Sequence, residues 1–309
     1  MAVNRTSSGI LATILALVNK GSHVVHFLAE FPGHPSILRS CELVGATYEE
    51  FIDFDKLTFK DNTSLVVITG STMDHKVLGE EVFKKVIDMA HEKNIPVFVD
   101  DASGARIRTA LYNQKKATEL GADLVVTSTD KLMPGPRGGI MAGKTELINK
   151  VKNKANQFGL EAQPPLILAM INGIKFYNEE NLIKAFSRKE ELYKLLNKKY
   201  KMFEKTPTGV MINETSLVRQ LNELNIKTRL TSKDCSFLLG MILLKFQGII
   251  TIPAVGMPGA SATLRFDLSA KDVINMDLNL LYEKIDSSFE LFSNLSQDIE
   301  KAKKLFIKY

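Results

Sequence analysis

The sequence has 309 residues, 45% hydrophobic and 24% charged, with a formal net charge of +5; this is chain enough for two globular domains and excludes a low-complexity or fibrous protein. Its longest apolar runs, such as Ile10 to Val18, are far shorter than the roughly 20 residues of a membrane span, and no basic-then-apolar leader precedes them, so a cytoplasmic protein without membrane association is expected. Two cysteines, Cys41 and Cys235, lie far apart with no CxxC pair, which argues against a disulfide framework and against a metal site, and the lysines alternate with acids as on a solvated surface rather than a nucleic-acid face.

The first two-thirds alternates short β-rich apolar runs with helical patterns, as expected of an α/β fold with a mostly parallel sheet. In chain order the pattern predicts a helix over Ser7 to Asn19, a strand over Val24 to Leu28, a helix over Pro35 to Leu43 and a strand over Leu65 to Thr69. A helix over Gly79 to Lys93 follows, with Val82, Phe83, Val86, Ile87 and Ala90 on one face at the spacing of a crossover helix. Next come a strand over Val97 to Asp100, a helix over Ala105 to Leu120, and strands over Leu124 to Ser128 and Gly139 to Ala142. Residues 1–165 thus form a large domain and 166–201 a helical connector. A smaller α+β domain occupies 202–309, with strands at Val210 to Ile212, Ile249 to Ile252 and Thr263 to Leu268, helices at Thr215 to Leu224 and Ser236 to Phe246, and a terminal amphipathic helix.

Chemistry concentrates where predicted strands end, which is where open α/β sheets bind ligands. The segment Ser128-Thr-Asp-Lys131, followed by Gly135-Pro-Arg-Gly-Gly139, sets a lysine beside a glycine-rich turn, and a partly desolvated lysine amine is a nucleophile toward an aldehyde. Val97-Phe-Val-Asp100-Asp101 ends a strand in acids; Asp100 suits a protonated heterocyclic nitrogen, and Asp101 suits the cap of the next helical run. Thr6, Ser7 and Ser8 open the first helix, where hydroxyls and free backbone N–H groups suit a phosphate or serve as ordinary caps. His34 follows the strand Val24 to Leu28, as a stacking ring or a cap. Arg265 stands in an apolar strand, where its planar fork suits a substrate carboxylate or an internal ion pair with Asp267 or Glu42.

These segments, taken in order, resemble fold-type-I pyridoxal-phosphate (PLP) enzymes of the aspartate aminotransferase superfamily. More narrowly they are similar to archaeal proteins related to bacterial selenocysteine synthase, the seryl-tRNA(Sec) selenium transferase. The resemblance covers most of residues 4 to 270, through TSSG, GHPS, VDDASG, STDK with GPRGG, and TLRFDLS. It implies a cofactor, pyridoxal 5'-phosphate, carried by Lys131 as a Schiff base. It further implies that Thr6, Ser7 and Ser8 hold the phosphate, that His34 stacks on the ring and that Asp100 binds its nitrogen. Ser128 adds a phosphate or ring-hydroxyl contact, Ser71 and Thr72 face the cofactor's edge, and Arg265 matches the position that holds a substrate carboxylate. A homodimer is implied by the same likeness.

The function expected is a PLP-dependent transferase or lyase acting on an amino acid or phosphorylated amino acid. Relatives of this kind carry several dozen residues ahead of the phosphate-binding helix, which here begins almost at Met1. That departure motivates an alternative, a truncated paralogue that binds PLP as a structural or regulatory subunit. No tRNA-binding extension is seen, so transfer of selenium on tRNA is not expected. A nucleotide-binding Rossmann enzyme is disfavoured, because neither GxGxxG after the first strand nor GxxxxGK[ST] is present.

Overall fold

In the computed structural model, which describes residues 1–251 and 262–306, the chain begins with β1 (Ala2–Val3), α1 (Thr6–Leu17), β2 (His23–Phe27), α2 (Pro35–Val44), β3 (Thr47–Phe51) and β4 (Thr63–Thr69). It continues through α3 (Glu80–Glu92), β5 (Val97–Asp100), α4 (Gly104–Arg106), β6 (Leu124–Ser128), β7 (Gly139–Gly143), α5 (Thr145–Gln157) and α6 (Pro164–Lys175). The seven strands form one sheet in the order β1-β7-β6-β5-β4-β2-β3; β7 is antiparallel to both its neighbours, and β6, β5, β4, β2 and β3 pair in parallel.

A parallel sheet covered on both faces needs apolar residues at consecutive positions, because successive side chains point to opposite faces. Val24, Leu65, Val67, Phe98, Leu124 and Val126 share a core with Ile10 and Ile14 of α1, Ile37 of α2 and Val151 of α5. Their neighbours Val25, Val66, Ile68, Val97 and Val99 pack with Phe83, Val86, Ile87 and Ala90 of α3 on the other face. The crossover-helix pattern is therefore realised, with Val82 at the edge of that core.

The chain differs from the sequence expectation at four places. The helix expected over Ala105 to Leu120 is only the short α4 followed by a π-helical turn, Ile107–Leu111. Its arginines Arg106 and Arg108 are drawn inward to buried partners, which a continuous α-helix would hold on different faces. The edge strand β3 and the two-residue β1 are short and polar or terminal, and carry no apolar run to announce them. In the second unit, residues 249–251 of the strand expected at Ile249 to Ile252 are not in a strand, and Ile252 lies outside the described residues.

By internal contacts the chain divides into Met1–Glu179 and a second unit that begins at Glu180. That unit holds α7 (Glu180–Asn197), β8 (Glu204–Thr206), β9 (Gly209–Ile212), α8 (Glu214–Glu223), α9 (Ser232–Gln247), β10 (Leu264–Asp267), α10 (Leu278–Leu295) and α11 (Ile299–Phe306). Its antiparallel sheet, β10-β9-β8, packs Val210, Ile212, Leu264 and Phe266 against Leu192, Leu239, Ile285 and Phe289 of the helices. No described helix is long and apolar enough to cross a membrane.

Candidate functional site

The same alternation that builds the core places the polar residues. Two positions beyond Val24, Val67, Phe98 and Val126 stand His26, Thr69, Asp100 and Ser128, so all four lie on the α1 face of the sheet and close to the carboxyl ends of their strands. Register sets them side by side: Thr69 pairs with Asp100, Asp100 with Val126, and Ser128 with Gly139 of β7. A Cβ on Gly139 would come within 3.0 Å of the Thr6 backbone nitrogen, so the first turn of α1 reaches the end of β6. Thr6, Ser7 and Ser8 are half-buried there, and α1 has no side-chain cap on its N-terminal N–H groups.

Asp100 is 6% exposed, and its Oδ1 is buried with no hydrogen-bond partner among the described residues. Burial pushes its carboxyl above the usual carboxylate range and the neighbouring Asp101 adds to this, opposed by His34, by Lys131 and by the Ala102 backbone N–H. His34 caps α2, its Nδ1 accepting the Ser36 backbone N–H at 3.3 Å. Burial lowers the His34 pKa, while Asp100 raises it and Lys131 and Arg39 lower it further. With Nδ1 accepting the Ser36 N–H, the ring proton sits on Nε2. Asp100 at the end of β5 and His34 and Lys131 from two strand-end loops thus act on one another electrostatically.

Lys131 is exposed, and no ion pair of its ammonium is found among the described residues. Its main chain is held firmly: Arg106, which sequence reasoning missed, donates from Nε to the Lys131 carbonyl at 2.7 Å and from Nη2 to the Ser128 carbonyl at 2.8 Å. Ser128 is buried; its hydroxyl donates to Asp130 Oδ1 and accepts the Asp130 N–H, so its hydrogen is already committed. Ser71 and Thr72 follow β4, both buried. Thr72 Oγ1 donates to Glu30 and accepts the Lys76 N–H, whereas Ser71 Oγ has no partner among the described residues. Arg265 is half-buried on β10 in the second unit, opposite Met211 of β9.

Asp101 does not cap the following helix. Its carboxylate is paired with the fully buried Arg108, Oδ2 to Nη2 at 2.5 Å and Oδ1 to Nε at 3.2 Å. Arg108 also bonds Gln114 and the Lys115 carbonyl and lies 4.7 Å over the Phe83 ring. Behind the site, His26 is bonded to Tyr48 and Thr69, and Tyr48 donates to Glu50, which accepts the Gly33 N–H next to His34. Among the described residues no His, Cys, Asp and Glu group is placed to hold a metal ion.

Such a site combines an uncapped helix N-terminus, a buried carboxylate oxygen lacking a donor, a neutral imidazole and an accessible primary amine. The model of the L-seryl-tRNA selenium transferase family matches residues 40–233, and that of the UPF0425 C-terminal domain matches residues 199–277. A UPF0425 pyridoxal phosphate-dependent protein of Methanothermobacter thermautotrophicus is 52% identical over 306 residues, covering 99% of this chain and 79% of its own length. One from Methanosphaera stadtmanae is 51% identical over 290 residues, covering 94% and 76%. Among solved structures, an Escherichia coli protein with a methionine aminotransferase function superposes with a TM-score of 0.64 at 14% identity, covering 93% of this chain and 77% of the other. That likeness shows the fold, the one shared by fold-type-I PLP aminotransferases.

Proposed function

The chain belongs to the UPF0425 pyridoxal phosphate-dependent protein family, and from that premise we propose that it is a PLP-dependent transferase or lyase acting on an amino acid or a phosphorylated amino acid, with Lys131 as the Schiff-base lysine. The observation that carries this reading is the Asp100 Oδ1 atom, buried at the end of β5 and lacking any donor among the described residues. Leaving a buried acceptor unmet costs about 1–3 kcal/mol, more when it is charged, and a bound group with a donor at this point would remove that cost. The N–H of a protonated pyridine ring is such a donor.

The remaining groups fit the same cofactor. Thr6, Ser7 and Ser8 would take its phosphate, with the positive end of α1 behind them. His34, whose Nδ1 is already occupied by the Ser36 N–H, would lie against the ring. Ser71, whose hydroxyl is unmet, would bond the cofactor's edge, and Thr72, already engaged with Glu30, would brace that loop. Ser128 would accept from the ring hydroxyl while its hydrogen is held by Asp130, or turn that hydrogen from Asp130 to donate to the phosphate. Bound there, the ring supplies an electron sink for bond cleavage at an amino-acid Cα. Asp100 would hold the proton on the ring nitrogen, and the Lys131 amine would move the proton at the substrate Cα. Arg265 is assigned the substrate carboxylate.

A homodimer is part of the proposal, supported by the exposed apolar residues Leu168, Ile171 and Ile174 on α6. Reconstituting the purified chain with PLP and recording its visible spectrum tests the assignment. A band above the protein absorption is expected, absent from Lys131→Ala; a mutant spectrum identical to the wild type rejects Lys131.

A further inference from the structure

The arginine that sequence reasoning missed sits at the hub of the Lys131 loop. Arg106 is 7% exposed and spends four of its five guanidinium N–H groups on main chain and one hydroxyl. Nε donates to the Lys131 carbonyl at 2.7 Å, Nη1 to Thr127 Oγ1 at 3.1 Å, and Nη2 to the carbonyls of Ser128 and Ala102. Every acceptor is uncharged, and no carboxylate within ion-pairing distance of Arg106 is found among the described residues. A buried cation without a carboxylate partner is costly, and uncharged acceptors offset that cost only when geometry is good.

What those bonds hold is a strained backbone. Leu132, directly after Lys131, has a φ of 59°, a left-handed conformation that is strained for a residue with a Cβ. Such a conformation persists where the surroundings over-determine it. Here the bond to the Lys131 carbonyl fixes one side of that turn, and Gly135, against the Thr129 carbonyl, fixes the other. The same guanidinium ties this loop to Ala102, two residues beyond Asp100. One side chain therefore links the stretch just beyond Asp100 to the loop that carries Lys131, past the point where the pairing of β5 with β6 ends.

We propose that Arg106 is a positioning residue for Lys131, holding the lysine's backbone at the distance from the Asp100 strand end that a cofactor bridging the two requires. This rests on the reading of Lys131 as the cofactor lysine. Arg106→Gln removes the fork, Arg106→Lys keeps a charge and a donor, and Thr127→Val removes one acceptor of the guanidinium without touching Lys131.

Each protein is mixed with PLP, the linkage is trapped with borohydride at timed intervals, and the labelled peptide is quantified by mass spectrometry. Arg106→Gln is expected to label residue 131 at least tenfold more slowly with an unchanged far-ultraviolet dichroism spectrum. Arg106→Lys should recover to within about threefold of wild type, and Thr127→Val should fall between. Labelling of Arg106→Gln at the wild-type rate overturns the proposal, as does failure of Arg106→Lys to exceed Arg106→Gln. If Arg106→Gln does not fold, Thr127→Val decides: a slower rate supports the role and a wild-type rate removes it.

Wild-type label found away from residue 131 would refute the cofactor assignment rather than the role of Arg106. Amide hydrogen exchange of residues 129–133 in the cofactor-free proteins then decides the latter. At least tenfold faster exchange in Thr127→Val or Arg106→Gln supports the anchoring, and identical exchange overturns it.

Discussion

The imidazole of His26 is fixed against the hydroxyl of Thr69, with 2.7 Å between Nε2 and Oγ1. The tautomer follows from counting hydrogens. Tyr48 has one, spent on Glu50 Oε1 at 2.6 Å, so at the 2.6 Å contact with Tyr48 it is His26 Nδ1 that donates, leaving Nε2 to accept from Thr69. A protonated ring would have a hydrogen on both nitrogens and would break this chain.

Burial, with His34 adding to it, lowers the His26 pKa to about 3. An unfolded histidine takes its proton near pH 6.5, so between pH 6.5 and 3 the unfolded chain binds the extra proton and stability falls as pH falls. At about 1.4 kcal/mol for each pH unit, this one group should remove about 2 kcal/mol between pH 7 and pH 5. His26→Gln is expected to show a flatter loss by that amount in urea titrations at the two pH values. An undiminished loss in the mutant would show that another group carries the pH dependence.

For Asp100 the sign reverses. Its folded carboxyl is held above the unfolded value, so the folded chain keeps the proton longer and this group's contribution falls as pH rises through that interval. Asp100→Asn removes the buried charge, and the cofactor-free protein should melt at a higher temperature near pH 7. The same substitution should weaken PLP binding about tenfold to a hundredfold, the worth of one charge-assisted hydrogen bond of about 1.5–3 kcal/mol. Calorimetry with and without PLP reads both; a mutant that melts lower and binds PLP normally would mean that Asp100 is merely structural.

Much of this arrangement could be read from residue order. Val97 to Asp100 and Leu124 to Ser128 coincide with β5 and β6, because a strand buried on both faces is a short unbroken apolar run that stops where polar residues begin. Arg106 could not be read in the same way. In Ala-Arg-Ile-Arg-Thr-Ala-Leu the arginines look like ordinary solvent-exposed helix residues, and only tertiary contacts reveal that both are drawn inside where the backbone is π-helical. The network behind the site was hidden for a related reason: Tyr48 and Glu50 lie in an edge strand, Thr-Tyr-Glu-Glu-Phe, whose two glutamates mask the alternation. His26 sits within an apolar run and gives no local signal.

The glycine-rich turn after Lys131 contains two glycines whose replacement should differ in cost. A Cβ on Gly135 would land on the Thr129 carbonyl, which is backbone and cannot move aside. On Gly138 it would meet chiefly the Met170 side chain, whose flexible end can turn away, and Thr129 Oγ1 at 3.0 Å. Gly135→Ala is therefore expected to lower stability by about 1–3 kcal/mol, as overpacking does, and Gly138→Ala by less than half as much. Equal losses in denaturant titrations of the two proteins would mean that the turn adapts as a whole.

Asp101 and Arg108 form a buried ion pair directly beside Asp100, and the pair bears on whether Asp100 stays free for a ligand. A Cβ on Gly70 or on Gly104 would strike Asp101 Oδ1, so the carboxylate is walled in by backbone and cannot turn toward water. Removing one member of such a pair leaves the other charged and unmet, at a cost of about 3–5 kcal/mol, whereas removing both costs far less than the sum. Asp101→Asn and Arg108→Met are each expected to lose stability on that scale, and the double mutant to be no worse than the weaker single. Arg108 also holds Gln114 and the Lys115 carbonyl, so Arg108→Met should be the more damaging of the two. Strict additivity in urea titrations would show that the two charges are not coupled. Asp101 would then repel a charge on Asp100 undiminished by its arginine.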